Sequence, residues 1–253
     1  MTSAVQKPQT PADLPMFYKN PVPLEPVRHV TAGLRERTDF LFAANTNAIA
    51  LTASEIPHAA RTYPIVFSGS APTVPFAVVG LRDGENLFVD AQGKWREDCY
   101  IPAYVRRYPF IFSEVNNAQQ LVLCVDEAAE HFEMTSTRPF FVDAKPSEPL
   151  QNAFKFNETF QVHYADTRRF GEWLDANNML ENKVARSQLN NGETITMQGF
   201  RLLNPERAQA LEDAQVLELH KKGWLQMLHF HLQSLQNWGV LGSLMAARTR
   251  AAS

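Results

Sequence analysis

Cysteine is nearly missing from this chain of 253 residues: only Cys99 and Cys124 are present. Two thiols build neither a disulfide framework nor a four-thiolate zinc site, so reduced side chains in a cytoplasmic protein are expected. Long hydrophobic runs are absent as well, and no stretch reaches the roughly 18 apolar residues of a membrane helix, which excludes a helical permease. The opening MTSAVQKPQTPADLPMFYKNPVPLEP has no apolar segment behind a charged start, so no secretory signal is expected. Neither sign of charge dominates, with 24 Lys plus Arg against 27 Asp plus Glu. Nucleic acid usually demands a broad basic footprint and is not an expected partner.

The strong catalytic signatures are also lacking. There is no G-x-x-x-x-G-K-[ST] phosphate loop, no G-x-G-x-x-G, no G-x-S-x-G elbow and no H-E-x-x-H. His229 and His231 stand two residues apart, which on a helix turns their rings about 200° from each other, so they cannot chelate one metal as a pair. No metal site and no cofactor are expected, and no catalytic residue is assigned.

What is present divides the chain by pattern. Residues 1–26 carry six prolines, each of which fixes φ and removes a backbone donor; they predict an extended arm, either a tail or a strap. Residues 27–248 are read as one domain. Between about 40 and 145, FLFAAN, ALTAS, YPIVFS, PFAVVGL, NLFVD, FIFSEV, QLVLCVD and FFVD are rich in β-branched and aromatic residues and predict short strands. Asp83-Gly84 has tight-turn chemistry between PFAVVGL and NLFVD. A short helix is expected from Ser54 to Arg61 with Ser54 as its cap, and a helical turn from Pro102 to Arg107. From 147 to 248 the apolar period lengthens to three and four residues, predicting an amphipathic helix that breaks near Gly171, then a hairpin around Asn190-Asn191-Gly192, then helices starting at Asn204-Pro205 and at Trp224. The fold class is α+β, a β-rich N-terminal half packed against a mainly helical C-terminal half.

Asn86 to Phe112 concentrates the polar and aromatic chemistry. Arginine beside tyrosine holds a carboxylate through paired hydrogen bonds and stacks on the ring, so Asp90, Trp95, Tyr104, Arg106, Arg107 and Tyr108 form the candidate ligand site. The same residues serve equally well as internal ion pairs and sheet-edge packing.

These residues also carry a resemblance. Tyr63-Pro64-Ile65-Val66-Phe67, then Gly80-Leu81-Arg82-Asp83-Gly84-Glu85-Asn86-Leu87-Phe88-Val89-Asp90, Gly93-Lys94-Trp95 and Tyr100 to Phe110 in IPAYVRRYPF order resemble the SapC family of bacterial proteins. The resemblance implies no agreed catalytic residues. It implies an accessory role, since family members look like proteins encoded beside outer-membrane uptake receptors and flavin-dependent halogenases. The expected function is that of a soluble accessory or binding protein, linked to nutrient uptake or surface functions, whose partner is a peptide, a small anionic or aromatic molecule, or another protein. Two alternatives stand beside it: an enzyme acting on peptides or aromatic compounds, with Asp90, Glu97, His229 or His231 brought to the Arg and Tyr cluster, and a scaffold in a protein assembly.

Overall fold

The computed structural model describes residues 14–37, 39–115, 120–188 and 194–251. In chain order the elements are β1 (Pro21–Pro23), β2 (Gly33–Leu34), β3 (Ala48–Ala50), α1 (Ile56–Ala59), β4 (Ile65–Ser68), β5 (Pro75–Val78), α2 (Ala103–Arg106), β6 (Phe110–Val115), β7 (Gln120–Asp126), β8 (Phe132–Glu133), β9 (Phe141–Val142) and β10 (Lys145–Pro146). The 29-residue α3 (Glu148–Ala176) follows, then β11 (Leu180–Gln188), β12 (Thr194–Leu203), α4 (Pro205–Gln209), α5 (Asp213–Lys221), α6 (Leu225–Ser234) and α7 (Trp238–Ala251). Strands dominate the first half and helices the second, the α+β class. The C-terminal half nevertheless contributes the longest hairpin, β11 with β12; the Asn190-Asn191-Gly192 turn lies outside the described residues.

The chain forms two compact units, interleaved along the sequence: residues up to Arg37 with Arg107–Glu158, and Thr38–Arg106 with Thr159 onward. In the first, β1, β7 and β6 form an antiparallel sheet over a cluster of Phe110, Phe112, Leu123, Val125, Phe140 and Leu150. Part of the proline-rich arm is thus a strand, against the ladder-breaking expectation. The reason is parity at an edge. Leu24 donates its N–H to Leu123 O at 2.9 Å, so by alternation Val22 also faces β7 while Pro21 and Pro23 turn their donor-less nitrogens outward. A buried carboxylate fastens the residues before it: Asp126 accepts the backbone N–H groups of Lys19 at 3.0 Å and Asn20 at 2.8 Å.

The second unit carries a five-stranded antiparallel sheet in the order β11-β12-β4-β5-β3. Phe67, Phe170 and Trp224 pack edge to face or tilted at its centre, with centroids 6.3 and 5.5 Å apart. Gly171 does not break α3. A Cβ at Gly171 would lie 2.0 Å from Thr73 O, so glycine here lets the helix touch the backbone beside it. FLFAAN forms a 3-10 turn, Leu41–Ala43, in place of a strand. NLFVD is no strand either: besides a Val89–Trp95 bridge and single backbone bonds to Ala44, Val79 and Arg96, it is held by the C-terminal helix, where Arg248 donates to Asn86 O at 3.0 Å and Val89 O at 2.8 Å. The final helical stretch is divided, with a 3-10 turn at Leu235–Asn237 between α6 and α7.

Candidate functional site

The TASE tetrapeptide, Thr52 to Glu55, organises the polar centre of the second unit. Threonine three residues before glutamate is a capping-box spacing, and the Glu55 carboxylate accepts the Thr52 N–H at 2.8 Å. Thr52 caps a 3-10 turn, Ala53–Glu55, that leads into α1, so the cap is not Ser54, because only the residue three before Glu55 closes the reciprocal pair. Glu55 is buried, and its other donors complete the shell: Thr52 Oγ1 at 2.8 Å, Tyr100 Oη at 3.0 Å and the Ala103 N–H at 2.6 Å. A buried carboxylate without such donors would be strongly destabilising. Here it fixes the start of α2 and the phenol of Tyr100 together.

Tyr100 passes this order outward. Burial, then the Glu55 charge, hold its phenol well above the ordinary range, so it stays protonated and donates to Glu55. Its oxygen accepts Arg106 Nη2–H at 3.0 Å, and the guanidinium lies 5.6 Å from the ring centroid. Arg106 Nε donates to Ile101 O at 3.0 Å. On the same tyrosine His58 stacks at 5.6 Å with planes 20° apart. Arg106 and His58 are both exposed, so a cation and an imidazole are presented to solvent on one rigid ring.

Across the capping turn, Ser54 Oγ lies 3.1 Å from Thr52 Oγ1 and 3.1 Å from His163 Nδ1. α3 supplies this histidine. Four residues on, at helical spacing, Thr167 Oγ1 accepts the Ala53 N–H at 2.7 Å and donates to His163 O at 2.6 Å, clamping the turn to the helix.

The six residues singled out from sequence divide between the units. Asp90, Trp95, Tyr104 and Arg106 fall in the second, Arg107 and Tyr108 in the first. Asp90 is exposed and caps its own turn, accepting the N–H groups of Gln92 at 2.9 Å and Lys94 at 2.8 Å. Trp95 is buried, donating to Tyr63 Oη at 3.1 Å and meeting Phe40 edge to face. Half-buried Tyr104 packs on Phe160. Arg107, buried, lies over the Tyr18 ring at 6.0 Å; Tyr108 donates to Asp126 at 3.2 Å and touches Tyr18 at 5.3 Å. Tyr100 belongs to the stretch singled out from sequence but not to the six candidates, and Glu55 and His58 lie outside that stretch; the T-x-x-E spacing was the available signal for Glu55. Of the alternative acid-base groups, Glu97 pairs with Lys94 at 2.5 Å on the surface, His229 is exposed and His231 is buried.

Comparison with known proteins decides the family. The SapC model matches residues 24–241. The chain belongs to the SapC family. No curated protein and no solved structure matches it. Among the described residues, no helix of this SapC protein is long and apolar enough to cross a membrane.

Proposed function

We propose that this SapC protein is an accessory binding protein, and that the Arg106 face of its second unit takes a small aromatic carboxylate or a peptide C-terminus. The carrying observation is the solvent-exposed Arg106 guanidinium, held on Tyr100 by a hydrogen bond and ring contact that the buried Glu55 makes rigid. A guanidinium fixed before the ligand arrives loses little rotamer freedom on binding, and the His58 ring, stacked on the same Tyr100, offers aromatic surface beside it. Trp95 is framework for this face, and Arg107 and Tyr108 are framework for the first unit. N-acetylphenylalanine and its amide are matched probes. Titration calorimetry is expected to show binding of the carboxylate, at least tenfold weaker binding of the amide, and a similar loss in Arg106→Gln, from the ~1.5–3 kcal/mol of a hydrogen bond to a charged group. Because Arg106 is exposed, its variant is expected to melt within a degree or two of the parent. Equal binding of acid and amide, or no effect of Arg106→Gln, contradicts the proposal.

A second reading, an enzyme, rests on Ser54 and His163, a hydroxyl and an imidazole at 3.1 Å. That distance suits removal of the serine proton by the ring. It predicts hydrolysis of phenyl acetate above the buffer rate, with Ser54→Ala and His163→Gln each reducing it at least a hundredfold. Activity unchanged in either variant removes this reading.

A further inference from the structure

The first unit holds a concavity remote in composition from the Arg106 face. Residues of β7 and of the first turns of α3 line a cavity of about 670 Å³, within the ~300–1,000 Å³ common for small-molecule sites. Its apolar lining is Leu24, Leu121, Leu123, Phe141, Leu150 and Phe154. Leu123, Phe141 and Leu150 belong to the buried core, but Leu121 and Phe154 stay 44% and 41% exposed. Water that wets large apolar groups in a concave wall is displaced favourably by an apolar molecule.

The polar groups of the cavity are arranged in a line. Gln151, Lys155 and Glu158 lie at i, i+4 and i+7, along one edge of α3 over about 10 Å. Lysine and glutamate oppose each other in charge, so this rim supplies hydrogen bonding with no net charge to favour an anion. Ser147, between the lining residues Pro146 and Leu150, has a buried Oγ with no hydrogen-bond partner among the described residues, a further polar atom at the start of the helix.

We infer that this cavity binds an elongated, uncharged apolar molecule with hydrogen-bonding groups along one edge, its body on the leucines and phenylalanines and its polar edge on Gln151, Lys155 and Glu158. The volume of this open concavity suits one such molecule. Its chemistry differs from that of the Arg106 face.

The test uses the full chain and the neutral fluorophore N-phenyl-1-naphthylamine. Saturable, one-to-one fluorescence enhancement is expected, with Leu121→Gln and Phe154→Gln each weakening it at least tenfold. Both positions are exposed, and their melting temperatures show whether the fold survives. Val162→Gln removes another exposed apolar residue of α3, 67% exposed but outside the cavity; it is expected to leave binding unchanged, as is Arg106→Gln. Non-saturable enhancement, or equal loss in Val162→Gln, means surface adsorption and overturns the inference. So does a dimer in sedimentation that Phe154→Gln dissociates, because a second copy would then be the occupant.

Discussion

His231 shows how a single residue records its surroundings. Its Nε2 accepts the Leu203 N–H at 3.1 Å, so the ring proton must sit on Nδ1, which has no hydrogen-bond partner among the described residues; the ring lies beside that of Phe67 with centroids 4.9 Å apart. Burial pushes the imidazole down to about 3 from an ordinary 6.5. The sign follows directly: below pH 6.5 the unfolded chain takes a proton that the folded one refuses, so stability is full above that pH and is lost as pH falls toward 3. Urea unfolding at pH 7 and pH 4 is expected to show a His231-dependent loss of up to about 3 kcal/mol, which His231→Gln removes. An unchanged pH slope in the variant would count against the buried neutral ring. Opposite helical faces for His229 and His231 were legible from their spacing. That one ring would be exposed and the other hydrogen-bonded in the packing was the expected outcome; which of the two is buried was not legible, because periodicity places a face without saying what covers it.

Among the elements, β1 turns on the alternation of backbone donors. Val22 supplies the inward N–H and Pro23 does not, so Val22→Pro is expected to destabilise the protein by about 1–3 kcal/mol, with the cost of an orphaned acceptor on β7 included. Pro23→Ala is expected to change it by less than about 1 kcal/mol. Equal effects in thermal unfolding would refute the parity argument. Proline content alone suggested an arm, since composition does not reveal which side of an edge each nitrogen faces. The strands of YPIVFS, PFAVVGL, FIFSEV and QLVLCVD were readable from β-branched and aromatic residues that fill a sheet interior. NLFVD has the same composition, yet two of its carbonyls, those of Asn86 and Val89, go to Arg248, about 160 residues later, a tertiary contact that no local pattern announces. In the same way, Gly171 read locally as a helix stop, whereas Thr73 makes it a point of close approach.

Over the whole molecule, the α+β class follows from the change of hydrophobic period near residue 147. The interleaved units do not, because they depend on which segments return to contact each other. Arg106 and Arg107, neighbours in sequence, belong to different units, so a cluster compact in sequence is not one surface. Glu55 was hidden for a related reason: it meets Tyr100 and Ala103 only after more than forty intervening residues fold. Arg106, held on Tyr100, is proposed as the prepared carboxylate receptor of this SapC protein. The most direct measurement follows the arginine side-chain Nε–H and backbone amide NMR resonances during addition of N-acetylphenylalanine. Saturable shifts are expected, largest at Arg106 Nε and through residues 100–106, and absent with the amide. Saturable shifts elsewhere with Arg106 unmoved, or no saturable shifts at all, would contradict it.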